Sequence, residues 1–294
     1  MSKKILITGA NGFIAKNLNS WLSLLNYDID ACDKNKLDLL NEVEVCNYLK
    51  SKKFDVVVNT STYDAAPAHS TKDPNMVLNN NLRMFFNLTR CSNLYGKMLY
   101  FGSGAEFNRN FWTSRMTEDY FDKHVPEDQY GFSKYVMTKY SLQTNNIYNF
   151  RLFCVYGPYN DFRTRFIENA INRVIHDLGI LIKQNNKFDN LSVYDLCKII
   201  VWFIENDQKY KVYNICSGEA YTFDQIAGWL YGIAGKSNRS FIQDESGVNY
   251  SASNKRILEE LGKDFEFVSM YNGLFGLYDW YLKNPINKKL LQKI

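Results

Sequence analysis

Hydrophobic positions along this chain fall into two rhythms that take turns. Short apolar runs at Ile5–Thr8, Ile29–Cys32, Val56–Asn59, Met98–Gly102 and Asn149–Phe153 read as strands. Between them lie longer stretches, Gly12–Leu25, Val43–Ser51, Asn79–Cys91 and Tyr130–Gln143, with apolar residues at helical spacing. Alternation of this kind predicts an α/β chain built on a doubly wound parallel sheet. Val56-Val-Val-Asn59 is flanked by turn residues and reads as a strand buried on both faces. After Tyr156-Gly-Pro158 the rhythm loosens into helices such as Arg165–Asp177 and Leu191–Glu205 and short strands such as Val212–Ile215. The expected division is a first domain over 1–158 with a returning segment near 188–205, and a smaller mixed α/β lobe from 159–187 and 206–294.

Composition narrows the function classes. At 294 residues and 46% hydrophobic content the chain can bury a full core. A net charge of +4, with no basic tract, gives no argument for nucleic acid but suits an anionic small molecule. The six cysteines, Cys32, Cys46, Cys91, Cys154, Cys197 and Cys216, show no Cys-x-x-Cys spacing and no histidine cluster. Neither a metal site nor a disulfide framework is expected, and reduced thiols in the cytoplasm fit best. No apolar run reaches the roughly 18 residues of a membrane span, and no signal-peptide core precedes the first strand. A cytoplasmic protein without membrane or nucleic-acid partners is the expectation.

Candidate chemistry begins at the first turn. Thr8-Gly-Ala-Asn-Gly-Phe-Ile-Ala15 places Gly9 and Gly12 where a strand must turn sharply into a helix and let a pyrophosphate approach backbone amides. Ala15, at the third glycine position, is still small enough for close helix packing. As the first element of a strand–helix series this turn points to dinucleotide binding through Thr8, Gly9, Asn11, Gly12, Phe13 and Ile14. Asp33 ends the second strand, where a carboxylate accepts from the ribose hydroxyls of NAD and repels the extra phosphate of NADP; neighbouring Lys34 and Lys36 would do the opposite. NAD(H) and NADP(H) both stay open.

Tyr130-Gly-Phe-Ser-Lys134 puts a phenol and an ammonium on one helix face, where the cation favours phenolate and makes the tyrosine a proton donor suited to carbonyl chemistry. With these motifs in order, the chain resembles the extended short-chain dehydrogenase/reductases, the NAD-dependent epimerase/dehydratase group acting on nucleotide sugars. Further stretches carry the resemblance: Asn81-Leu-Arg-Met-Phe-Phe-Asn-Leu88, Phe101-Gly-Ser-Gly-Ala-Glu-Phe107, Arg151-Leu-Phe-Cys-Val-Tyr-Gly-Pro158, Tyr213-Asn-Ile-Cys-Ser-Gly218 with Thr222-Phe223, and Ser253–Gly262. The resemblance implies a Rossmann-type cofactor domain with Asn59, Thr60 and Asn81 completing the cofactor contacts. It also implies Tyr130, Lys134 and Ser103 as the catalytic set, and a nucleotide-diphosphate sugar whose C4 oxygen faces Ser103 and Tyr130. Lys134 would also hold the nicotinamide ribose, and Ser103 would steady charge developing on the sugar oxygen.

Absences separate the family's reactions. Enzymes similar to dTDP-glucose 4,6-dehydratase need an Asp-Glu pair after the serine or threonine, and here those positions are Gly104 and Ala105. Enzymes similar to GDP-fucose synthase epimerise with a cysteine and a histidine. Ala105 takes the cysteine's place, the histidine's place falls near Arg165, and no histidine occurs between His124 and His176. What remains is hydride transfer at C4, the reduction of a nucleotide-linked 4-keto sugar in deoxysugar or heptose pathways for surface glycans. A 4-epimerase holding its NAD tightly uses the same three residues, and a non-catalytic nucleotide-binding protein shares the fold.

Substrate contacts are expected from Ser103, Gly104, Ala105, Glu106, Arg163 and Arg165. The two arginines are placed to grip a diphosphate, or form a solvated helix start. Alternation along the strand turns Glu106 away from the face of Ser103, which favours a supporting role over direct contact with the sugar. Cys154 stands where the family has asparagine. A homodimer through Asn79–Cys91 and Tyr130–Gln143 is implied, with Phe85, Tyr135 and Met137 as its apolar patch unless they pack within their own domain.

Overall fold

A computed structural model describes residues 2–262 and 264–292. The chain divides into two compact units. The first comprises residues 1–111, 117–152 and 199–215, and the second 112–116, 153–198 and 216–294.

The first unit runs β1 (Lys4–Thr8), α1 (Phe13–Leu22), β2 (Asp28–Cys32), α2 (Glu42–Lys52), β3 (Phe54–Asn59), α3 (Val77–Thr89), β4 (Tyr95–Ser103), α4 (Gln129–Ser141) and β5 (Ile147–Leu152). The chain continues through β6 (Cys154–Tyr156), α5 (Phe166–Ile175), β7 (Ile180–Ile182), β8 (Lys187–Ser192), α6 (Val193–Glu205) and β9 (Val212–Ile215). It ends with β10 (Ala220–Thr222), α7 (Phe223–Ile233), β11 (Ser240–Ile242), β12 (Asn249–Tyr250), α8 (Lys255–Leu261), α9 (Met270–Lys283) and α10 (Lys288–Leu291).

In the first unit six strands form one sheet in the order β2-β1-β3-β4-β5-β9, every pairing parallel. Parallel strands joined by helices need cover on both faces, which is why β1 and β3 are almost wholly apolar and buried. Leu6, Val57, Met98 and Ile147 meet Val45, Phe85, Leu88 and Met137 of α2, α3 and α4 in one core. Elsewhere Phe203 of α6 packs edge-on against Phe150 and Tyr213. This is the doubly wound sheet that the alternation predicts.

Three features depart from the sequence reading, and one choice it left open is decided. Val212–Ile215, assigned to the lobe, is the sixth strand, in register with Asn149–Leu152. The stretch from Leu191 opens as strand, because Leu191 and Ser192 finish β8 against β6 before α6 begins at Val193. Of the two readings left for Phe85, Tyr135 and Met137, packing within their own unit holds: Phe85 and Met137 are sealed in its core and Tyr135 is buried, its hydroxyl donating to Asp122. Cys46 on α2 and Cys91 just past α3 are joined as a disulfide, against the expectation of unpaired thiols. Their separation of 45 residues hides the pairing from any spacing rule.

The second unit is mixed: β10 runs antiparallel to β8, β6 and β12 run parallel to it, and β7 pairs with β11. Its core gathers Ile171 of α5, Leu230 of α7 and Leu274 of α9. Among the described residues no helix is long and apolar enough to cross a membrane.

Candidate active site

The carboxyl ends of β1, β3 and β4 and the start of α4 carry most of the sequence-predicted residues. At β1 the turn is built as the glycines require. Gly9 sits at φ +69°, and a Cβ there would lie 3.0 Å from Ser61 Oγ. The Gly12 amide donates to the Gly9 carbonyl at 2.8 Å. Gly12 then starts α1 without a side-chain cap, and no acidic residue falls in the first turn. An uncapped helix start with backbone amides turned outward is suited to a diphosphate. The residues present therefore fit the dinucleotide implied by the sequence. Thr8 Oγ1 donates to Asn59 Oδ1 at 2.8 Å and Thr60 Oγ1 to the Thr8 carbonyl at 2.7 Å, so these three brace the turn by bonding one another. Asn11 Nδ2 donates to Asp33 Oδ2 at 2.9 Å. The amides of Lys36 and Asn35 also bond Asp33, and these contacts hold its carboxyl below the usual range. Lys34 is exposed, whereas the Lys36 ammonium is committed to Asp30.

Asn81 is placed differently from the expectation. Its Nδ2 donates to the Tyr63 and Val77 carbonyls, both at 2.9 Å, and its Oδ1 accepts from the Tyr63 amide at 2.8 Å. With its amide occupied and 2% exposed, Asn81 pins the loop after β3 to α3 instead of reaching for a ligand.

At the end of β4 the strand stops at Ser103, and residues 104–107 turn into a single 3₁₀ coil. Ser103 caps that coil. Its Oγ accepts from the Ala105 amide at 3.2 Å, while Glu106 Oε1 accepts from the Ser103 amide at 2.9 Å, a capping box. The Ser103 hydroxyl itself is half-buried. Helix α4 begins under the cap of Asp128, whose Oδ1 accepts from the Gly131 amide at 2.8 Å. Gly131 permits close approach, since a Cβ there would meet the Ala105 carbonyl at 2.8 Å. The first turn of α4, with Tyr130, thus lies directly against the coil that follows Ser103.

Lys134 is 4% exposed. Its Nζ donates to the Phe101 carbonyl at 2.8 Å and stands 5.7 Å from the centre of the Tyr130 ring and 5.8 Å from that of Tyr100. Burial pushes its pKa down to about 8, partly opposed by the Glu106 charge. The cation that the sequence assigns to the phenol is therefore beside it.

Glu106 lies inside, not along a strand face, because the chain has left the strand by that point. It is 0% exposed and bonded on all sides. Thr138 Oγ1 donates to it at 2.8 Å, Arg151 Nε at 2.9 Å, and Asn149 Nδ2 at 3.2 Å and 3.3 Å to its two oxygens. Arg151, also 0% exposed, donates to Asn214 Oδ1 at 3.0 Å and lies over the Phe107 ring at 4.3 Å. Sequence reasoning missed Asp128, Thr138 and Asn149. The pair Asp128 and Gly131 is legible afterwards as a helix cap, whereas the other two bond partners far away in the sequence. Arg163 and Arg165 belong to the second unit, exposed before α5, where Arg163 Nε donates to Asp161 at 2.8 Å.

Residues 5–216 match the model of the NAD dependent epimerase/dehydratase family. The ADP-L-glycero-D-manno-heptose-6-epimerase of Thiobacillus denitrificans is 24% identical over 261 residues, 77% of each chain. A GDP-mannoheptose C4 reductase from Campylobacter jejuni, solved with NADP bound, superimposes with a TM-score of 0.81 at 18% identity, covering 96% of this chain and 98% of that one. A UDP-glucose 4-epimerase from Thermotoga maritima, solved with UDP-glucose, gives 0.82 at 19% identity, covering 96% and 99%. At these identities the likeness to the solved structures is one of fold.

Proposed function

The chain belongs to the NAD dependent epimerase/dehydratase family, and on that premise we propose that it is an NAD(P)H-dependent reductase acting at C4 of a nucleotide-diphosphate-linked 4-keto sugar. One observation carries the choice of reaction. The coil after Ser103 offers Gly104 and Ala105, which move no protons, and a carboxylate, Glu106, sealed at 0% exposure and saturated by its own unit's donors. In the family reactions weighed above, dehydration and epimerisation beside the ketone draw an acid or base from this coil, whereas C4 hydride transfer draws none.

The roles follow from placement. The uncapped start of α1 receives the cofactor's diphosphate, and the bound nicotinamide nucleotide supplies the hydride. Tyr130 gives its phenolic proton to the carbonyl oxygen as that oxygen becomes the alcohol. Lys134 steadies the phenolate left behind, and the Ser103 hydroxyl donates to the same oxygen as it gains charge. The heptose-linked activities of two of the similar proteins put nucleotide-linked 4-keto heptoses first among candidate substrates, followed by 4-keto-6-deoxyhexoses.

The test is to generate such 4-keto sugars in place with a dehydratase and follow consumption of NADPH and NADH. Stoichiometric oxidation of one of them supports the reductase. Interconversion of a UDP-hexose without added reduced cofactor would replace it with a 4-epimerase, which uses the same three residues and shares the fold of the Thermotoga maritima enzyme. Tyr130→Phe is expected to abolish turnover while NADPH binding persists. Unchanged turnover in that variant would reject the proton-donor role.

A further inference from the structure

Resting on the catalytic reading of Ser103, Tyr130 and Lys134, we propose that Glu106, backed by Arg151, is the positioning residue that sets the Ser103 hydroxyl in register with the helix carrying Tyr130 and Lys134. Its carboxylate bonds three separate pieces of the first unit. It takes the amide of Ser103 on the coil, the hydroxyl of Thr138 on α4, and the side chains of Asn149 and Arg151 on β5. Thr138 lies one helical turn beyond Lys134 and two beyond Tyr130, so Glu106 joins the residue proposed to polarise the sugar oxygen to the helix proposed to protonate it.

A fold staple alone does not account for this arrangement. A buried ion pair is a poor source of stability, and apolar side chains of similar volume commonly serve as well. An apolar pair cannot hold an amide, a hydroxyl and a guanidinium at fixed directions together. Arg151 neutralises the carboxylate from behind, wedged against Phe107, and Tyr100 extends the chain by sharing a 2.7 Å hydrogen bond with Thr138. Every partner of Glu106 is a donor. Replacing it by glutamine therefore points an N–H at a donor whichever way the amide turns, and the coil must shift while volume is kept.

The decisive experiment is a double-mutant cycle with Ser103, run on the sugar that the wild-type protein turns over. Glu106→Gln is expected to lower kcat about 10- to 100-fold, below the loss from removing a whole oxyanion donor. NADPH affinity should stay within about twofold, because the α1 turn is untouched. In a Ser103→Ala background the same change is expected to cost less than about threefold, since the group it positions is gone. Full multiplication of the two losses would overturn the proposal and leave the proposed activity standing. A Ser103→Ala variant as fast as wild type would overturn this proposal and the role of Ser103 together. Should Glu106→Gln fail to fold, Thr138→Val removes the bond from Glu106 to α4, together with the Thr138 bonds to Tyr100 and Asn149, and leaves the carboxylate in place. It is expected to lower kcat in the wild-type background and not with Ser103→Ala, and equal losses in both would overturn the link.

Discussion

Lys134 is the residue whose environment most directly governs the proposed chemistry. Its ammonium is needed beside Tyr130, yet burial holds its pKa at about 8. Glu106 faces it and pulls the value up, and the Tyr100 and Tyr130 rings flank it. Reduction is expected to slow as pH rises through about 8, where Lys134 loses its charge, and kcat measured against pH checks this. Glu106→Gln should move that midpoint lower. The same depression has a cost for stability. Below about 8 the ammonium is charged in both folded and unfolded chains and is poorly solvated in the fold. Between about 8 and 10.5 only the unfolded chain keeps the proton, so this group's penalty is relieved as pH rises. Lys134→Met is therefore expected to be more stable than the parent at neutral pH, by a few kcal/mol at about 1.4 kcal/mol per pKa unit, in urea titrations. The placement of Tyr130 beside Lys134 and of Ser103 at a strand end was legible because the signal is local: four positions along a helix, or one turn after a strand. The bonding of Asn81 and of Glu106 was not, although a supporting role for Glu106 was the favoured reading. Their partners are Tyr63 and Arg151, 18 and 45 positions away, and nothing nearby announces them.

Among the elements, the junction of β4 and the coil is the least tolerant of change. A Cβ at Gly102 would fall 2.2 Å from Asn149 Oδ1 and 2.3 Å from Glu106 Oε1, into a network with no slack. Gly102→Ala is expected to destabilise the protein by about 2 kcal/mol or more through overpacking, measured by denaturant unfolding. Gly228 gives the opposite case, since it lies inside α7 with nothing within 4 Å of an added Cβ. Gly228→Ala should stabilise by about 0.5–1 kcal/mol through helix propensity. The sequence located β1 to β5 and α1 to α4 because each carries its own hydrophobic period. It misplaced the boundary near Leu191 because a short alternating strand ending in Ser192 runs straight into a helix with no turn residue between them. Glu106 was read by strand alternation, a rule that lapses at Ser103 where the coil begins.

At the scale of the molecule, the cofactor should act as a stabilising ligand of the first unit. A nucleotide held at 100 times its Kd adds about 2.7 kcal/mol to the folded state, so NADPH or NADH is expected to raise the melting temperature with concentration. Gly9→Val forces a branched side chain into φ +69° against Ser61, and should erase that rise while the remainder of the sheet still melts cooperatively. Whichever nucleotide gives the larger shift settles the competition between Asp33 and Lys34. The doubly wound architecture was legible from the chain's alternation alone. The owner of β9 was not, because a short apolar run such as Val212–Ile215 does not say which sheet it completes.

That late strand bears on how the protein is made. Translation delivers β5 and then all of residues 153–211 before β9 emerges to pair with it. At about 5–20 residues per second the ribosome leaves the flank of β5 bare for several seconds, its amides and carbonyls open to neighbouring nascent chains. Newly made copies should accordingly depend on chaperones more than the finished fold would suggest.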